Sequence, residues 1–292
     1  MAVQTRAIKR RIKSVTNTRK ITKAMELVAA SKMRKSVNAV LLSRPYSRLA
    51  WETVLSIGTK VDTSMHPLLH KRETVSNVLM LLVASDRGLA GGYNTNIAKM
   101  AVQEIKKLGD NVSINSICIG KRGAEAMRRI KQPILASFTE ITNNTKFEEI
   151  LPIGRMVIHE FMSGHFDKVI LVYTDFVSAI SQKPVAVELL PLSGASQEPA
   201  TVMQGEYTFE PSPQEVLEKI LPRLIETMVY QAVLEAAASE HSSRMMAMRS
   251  ASDNAGEMID DLTFTFNQAR QAGITQEIAE ISSGKAALEA QR

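Results

Sequence analysis

The first glycine of this 292-residue chain is Gly58, and Pro45 is the only proline before it. Across that stretch apolar residues recur at three- and four-residue steps: Ile8, Ile12, Val15, then Ile21, Met25, Val28, then Met33, Val37, Val40. The spacing predicts a helix from Val3 to about Ile57, of roughly 80 Å at ~1.5 Å per residue. The phase slips between the three groups, so the apolar stripe is expected to wind around the helix. Pro45 lacks a backbone N–H and is expected to kink or interrupt the helix near Arg44, leaving a second piece from Tyr46 to Ile57.

The other end of the chain carries a more regular pattern. Ser212, Pro213 and Glu215 supply an N-cap, a first-turn proline and a capping-box acid. A heptad-like seam follows through Leu217, Ile220, Leu224, Leu234, Ala238, Met245, Met248, Ser252, Ala255, Ile259, Leu262, Phe266 and Ala269. Thr227, Gln231 and His241 are its weak positions, Pro222 is expected to bend the helix, and Gly256 to weaken it locally. This helix would reach roughly 100 Å. Two striped helices at opposite ends of one chain most simply bury their stripes on each other, as a long antiparallel coiled coil. The alternative is that each packs on whatever lies between them.

What lies between has a different rhythm. Val78–Ala84, Val112–Gly120, Ile134–Phe138 and Val169–Thr174 read as buried strands. Ile97–Leu108, Gly123–Ile130 and Phe147–Met162 read as the helices between them. Val185–Leu192, after Pro184, reads as a late strand at an antiparallel edge. Gly58–Glu73 and Ser193–Gly205 read as linker and loop. The fold class is therefore α/β: a Rossmann-like middle domain over 59–211, with shaft helices over 1–58 and 212–292.

Charge is unevenly spread. Net charge is +6 overall, yet Arg6, Lys9, Arg10, Arg11, Lys13, Arg19, Lys20, Lys23, Lys32, Arg34 and Lys35 face one acid, Glu26, in the first 35 residues. A basic arm of this kind predicts an anionic partner or an acidic neighbouring surface. The arm shares an Arg-rich, acid-poor character with mitochondrial presequences, but it continues unbroken into further helix. Nucleic acid would also attract it; only Tyr46 and Trp51 lie near the arm for base stacking, which disfavours that partner.

No enzyme site emerges. Ser85-Asp86-Arg87-Gly88-Leu89-Ala90-Gly91-Gly92-Tyr93-Asn94 stands where a dinucleotide loop would, but its glycines are spaced G-x-x-G-G, and Ile119-Gly120-Lys121 ends the next strand without an acid. Lys121 and Lys285 follow glycines without completing a phosphate loop. His66 and His70 read as surface histidines, since Pro67 lies between them and no third metal ligand is evident. His159 and His165 have no nucleophile beside them. Cys118, the single cysteine, sits mid-strand as a buried thiol and excludes an internal disulfide. No uncharged apolar run is long enough to span a bilayer.

Three segments, in order along the chain, resemble the gamma-subunit family of F-type ATP synthases. They are Ile12 to Lys35 (IKSVTNTRKITKAMELVAASKMRK), Ser85 to Asn94 (SDRGLAGGYN), and Asp253-Asn254-Ala255-Gly256 through Asn267 to Ile278 (NQARQAGITQEI). The resemblance implies a non-catalytic central-stalk rotor, with no cofactor and no direct nucleic-acid partner. Its implied partners are the alpha and beta subunits of the catalytic head, an epsilon subunit and the membrane c ring. It implies beta contacts at Met25, Arg270, Gln271, Thr275 and Glu277, with Lys23, Arg34 and Lys35 beside them. It implies foot contacts to the c ring at Glu206, Tyr207 and Phe209. A peripheral place on the cytoplasmic face of a bacterial plasma membrane follows from the same resemblance, because the match begins almost at Met1. Gly273 and the segment from Lys285 to Arg292 depart from some relatives, and the cysteine pair of the redox-regulated chloroplast form is missing.

Overall fold

Residues 2–58, 66–109, 111–143, 145–192 and 212–290 are described by a computed structural model. Ten main elements follow in chain order: α1 (Ala2–Gly58), β1 (Asn77–Val83), α2 (Tyr93–Leu108), β2 (Ser113–Ile119), α3 (Lys121–Arg129), β3 (Ile134–Phe138), α4 (Phe147–Met162), β4 (Lys168–Phe176), β5 (Gln182–Leu190) and α5 (Pro213–Ala290). They divide into two compact units, Ala29–Arg244 and Met1–Val28 with Met245–Arg292.

The larger unit is built on a five-stranded sheet in the order β3-β2-β1-β4-β5. β1 pairs in parallel with β2 and β4, β2 in parallel with β3, and β5 closes the edge antiparallel to β4. Pro184 lies inside β5, opposite Thr174, where an edge strand tolerates a missing donor. Apolar residues on successive positions of β1 serve opposite faces, which is why the strand reads as a continuous run. Val78, Met80 and Leu82 meet Ile97 and Ala101 of α2 with Ala124 and Met127 of α3. Leu79, Leu81 and Val83 meet Ile150, Ile153, Val157 and Phe161 of α4 with Leu221, Ile225, Val229 and Val233 of α5.

Helix α5 thus serves as a covering layer of the sheet as well as a partner of α1. From Leu224 to Ser242 it is buried almost all round. In the same unit Val40 of α1 packs with Leu234 and Ala238, Ser43 Oγ hydrogen-bonds Gln231, and the Lys32 ammonium lies near enough to act on His241. Falling numbers on α1 meet rising numbers on α5, so the pair is antiparallel. Thr227, Gln231 and His241, weak positions of the seam, are all at least half-buried, whereas Ile220 faces solvent.

In the smaller unit only one side of each helix is shaded. Met248, Ser252 and Ala255 are buried, and Ile259, Leu262, Phe266 and Ala269 are half-buried at three- and four-residue steps. Gly256 has a reason: the Arg19 guanidinium lies 3.3 Å from where its Cβ would be.

Three expectations are corrected. The stripe of α1 does not wind. Its shaded side runs Ile8, Ile12 and Val15, then past the exposed Arg19 to Thr22, Glu26, Ala29, Met33, Ser36 and Val40 at steps of three and four, leaving Ile21 61% and Val28 58% exposed. Small and polar residues hold the seam, so a count of large apolar side chains loses its phase. Second, Pro45 does not interrupt α1, which continues to Gly58. Pro45 and Leu41, whose carbonyl it leaves without a helical donor, both face water, while Ser43 and Arg44 are tied to α5. Third, His66 is buried, its Nδ1 accepting the Leu68 N–H at 3.2 Å, and Leu68 and Leu69 belong to the core of what reads as linker. Residues 193–211, including the loop and Glu206, Tyr207 and Phe209, lie outside the described residues.

Ser212 caps α5 as expected, its Oγ accepting the Glu215 N–H at 3.3 Å. Gly120 has φ +94° and a Cβ there would sit 2.3 Å from the Ala84 carbonyl oxygen. Gly120→Ala should therefore cost about 3 kcal/mol or more, whereas Gly273→Ala, with nothing within 4 Å, should gain up to about 1 kcal/mol of helix stability. Urea unfolding of the two variants checks both signs.

Candidate functional site

In an open α/β sheet the crevice at the carboxyl ends of the strands is where a ligand usually lies. Here the loop from Ser85 to Asn94 leaves β1 at that edge. Ser85 Oγ sits 2.7 Å from the Arg87 carbonyl and 2.8 Å from Asn94 Oδ1, which pins the two ends of the loop together. Asp86 reaches sideways, accepting the Lys121 N–H at 3.1 Å and the Glu140 N–H at 2.7 Å. One carboxylate so ties the turns that follow β1, β2 and β3.

The loop presents acceptors, not donors, to α5. The Arg244 guanidinium donates to the carbonyls of Arg87 at 3.2 Å and Gly88 at 3.3 Å. A phosphate loop would turn backbone N–H groups toward its ligand; carbonyl oxygens repel phosphate oxygens. Arg244 also pairs with Glu240 one turn earlier at 2.7 Å, the two side chains being 11% and 4% exposed. Burial pushes the Glu240 carboxyl up, and the adjacent Arg244 charge pulls it back. His241 between them is pushed down to about 3 by burial, then by the charges of Arg244 and Lys32, so it stays neutral.

Further polar contacts surround the same stretch of α5. Tyr93 donates its hydroxyl to the Ala236 carbonyl at 3.2 Å, Ser239 to the Thr174 carbonyl at 3.3 Å, and Ser242 to the Ala179 carbonyl at 2.6 Å. One turn further back, the Arg44 guanidinium of α1 joins Glu235 at 3.1 Å and the Phe176 carbonyl at 2.9 Å. Burial, with Asp175 adding to it, pushes Glu235 up to about 7. The protein's own helix lies beside the ends of β1 and β4, while a hollow lined by Gly88, Gly91, Lys99, Arg122 and Arg129 stays open between α2 and α3. Sequence reasoning missed this set; the signal was the polar run Ser239-Glu240-His241-Ser242-Ser243-Arg244 breaking an apolar seam.

The expected partner contacts fall elsewhere. Met25 is half-buried on α1, and Lys23 is exposed and paired with Glu26 at 2.9 Å. Arg270, Gln271, Thr275 and Glu277 are all exposed within two turns of α5. Since Arg19 lies on Gly256, Met25 and Arg270 stand roughly 30 Å apart along the helix pair at ~1.5 Å per residue. They form two separate surfaces, not one site. Arg34 and Lys35 are exposed and belong to the larger unit. Among the described residues no helix is long and apolar enough to cross a membrane.

Residues 4–288 match the ATP synthase family. The ATP synthase gamma chain of Xanthomonas oryzae pv. oryzae is 42% identical over 97% of this chain and 99% of its own length. That of Roseiflexus castenholzii is 43% identical over 97% and 98%. Among solved structures, the central stalk/c-ring of the Tetrahymena thermophila mitochondrial ATP synthase superposes with a TM-score of 0.61 at 26% identity, covering 80% of this chain and 99% of that one. A chain of the Euglena gracilis OSCP/F1/c-ring structure gives a TM-score of 0.70 at 19% identity over 99% and 96%, a likeness of fold.

The depressed His241 sets a pH dependence. Its folded value lies below the unfolded 6.5, so its contribution is fully present above pH 6.5 and is lost as pH falls toward about 3. Between pH 7 and pH 5 this amounts to roughly 2 kcal/mol. His241→Gln, neutral throughout, should flatten that part of the fall; urea midpoints of the two proteins at each pH measure it.

Proposed function

The chain belongs to the ATP synthase gamma-chain family, and on that premise we propose that it is the central rotor shaft of its complex. It carries torque between the ion-driven c ring and the catalytic beta subunits, in synthesis or in hydrolysis, and makes no bond itself. Its partners in this role are the alpha and beta subunits of the head, an epsilon subunit and the c ring. It is held peripherally at the cytoplasmic face of a bacterial plasma membrane through the complex.

The observation that carries the reading is the family match across 4–288, which includes both ends of the helix pair as well as the sheet. Physical features agree with it. Two helices interlocked along a strict seam resist twisting better than one. A shaft lacking threefold symmetry touches each beta subunit differently, and differential contact free energy is all that coupling requires. The exposed cations Arg6, Lys9, Arg10, Arg11 and Lys13 on α1 suit acidic loops, where long-range attraction tolerates rotation better than fixed packing does. Met25, Lys23, Arg34 and Lys35 on α1, and Arg270, Gln271, Thr275 and Glu277 on α5, are the contacts assigned to beta; Glu206, Tyr207 and Phe209 are assigned to the c ring.

The isolated chain should hydrolyse no ATP, and mixing it with alpha and beta should restore coupled hydrolysis. Failure to co-assemble with them ends the proposal. Arg270→Glu and Met25→Lys should each lower ion pumping per ATP several-fold while shifting the melting midpoint by no more than about 3 °C, because Arg270 is exposed and a lysine at 25 can extend its ammonium to water. Proton uptake into vesicles, measured with ATP consumption in the same sample, checks both variants.

A further inference from the structure

A helix held only by apolar contacts resists being pulled off a surface better than it resists rolling on it. Its ridges are alike, and turning about the axis exchanges one apolar contact for the next. Hydrogen bonds at fixed positions behave differently, because they weaken steeply with angle. On α5 such bonds come from Ala236, Ser239, Ser242, Ser243 and Arg244. At 3.6 residues per turn they fan over roughly half of the helix circumference. Their partners belong to separate parts of the sheet unit: α2, the loop after β1, β4, and the β4–β5 hairpin with the start of β5.

Within that set the Glu240–Arg244 pair differs in kind. It joins a carboxyl to a guanidinium nearly excluded from water, and the guanidinium grips two consecutive carbonyls while the carboxyl holds it from behind. The loop it grips is itself fixed at both ends by Ser85 and Asn94, and sideways by Asp86. Sliding the helix by a fraction of a turn would break these bonds and leave two desolvated charges without partners, a large penalty compared with the shift of a leucine. We propose that the Glu240–Arg244 pair, with its grip on the Arg87 and Gly88 carbonyls, is the torsional key that keeps α5 from rolling against the sheet. Arg244 and Glu240 are positioning residues: they act by fixing the angle of the helix that carries the partner contacts.

The proposal rests on the rotor reading, and its test separates the two. The complex is reconstituted in vesicles with wild-type chain, with Glu240→Gln and Arg244→Met combined, and with Arg244→Lys. The double variant removes both charges together, so no unpaired charge is left behind. The lysine variant keeps the charge but offers one ammonium where a guanidinium fork bridges carbonyls and carboxylate. Amide hydrogen exchange at residues 85–92 should quicken at least tenfold in the double variant, with exchange at 262–276 unchanged. Protons pumped per ATP should fall at least twofold in the double variant and by a smaller factor in the lysine variant, measured well below either melting temperature. If the double variant does not assemble, the lysine variant decides by the same ratio. Pumping per ATP equal to wild type in the assembled variants overturns the torsional key, whatever the exchange shows. Wild-type chain that couples nothing overturns the rotor reading itself, and the key with it.

Discussion

A charge taken out of water needs a partner, and in the sheet unit Glu240 and Arg244 supply one for each other. Meeting that need explains much of the surrounding architecture. The loop after β1 presents the Arg87 and Gly88 carbonyls to Arg244. Asp86 must stop that loop from drifting, so it takes N–H groups from the ends of the next two strands. Gly120 must let the chain pass close to the Ala84 carbonyl for those ends to meet. His241, hemmed in by two cations, stays neutral. The doubly wound domain thus holds its own helix beside the ends of β1 and β4.

The strands and the helices between them were legible because their signals are local. Val78–Ala84 is β1 to within a residue, Ile134–Phe138 is β3, and Phe147–Met162 is α4. The seam of α5 beyond Met245 was legible too, since large apolar residues mark it. The seam of α1 was not, because Thr22, Glu26, Ala29 and Ser36 carry it while Ile21 and Val28 point away. Nor was the burial of α5 from Leu224 to Ser242, where a helix with three neighbours loses the one-sided pattern that periodicity detects. The same cause hid Arg244: its partners are backbone carbonyls more than 150 residues away, and a carbonyl has no letter in the sequence.

The inversion along the helix pair of the smaller unit bears on function. Thr22, Ser252, Ala255 and Gly256 lie inside, while Ile21, Leu27, Val28, Met258 and Phe264, the last 71% exposed, lie outside. Burying the larger set would have removed more apolar area from water and stabilised the pair more. Small residues share the seam with Met248, Ile259, Leu262 and Phe266. Large apolar residues on the outside are a liability for a free protein and an asset inside a complex. The proposed rotor role calls for this distribution: outer contacts that are apolar or broadly electrostatic, so that each can be exchanged for the next as a shaft turns. The polar, angle-fixed bonds are kept where no exchange is wanted, between α5 and the sheet. Directional bonding within the sheet unit and non-directional bonding on the outer face of the helix pair are the division that the proposed role requires.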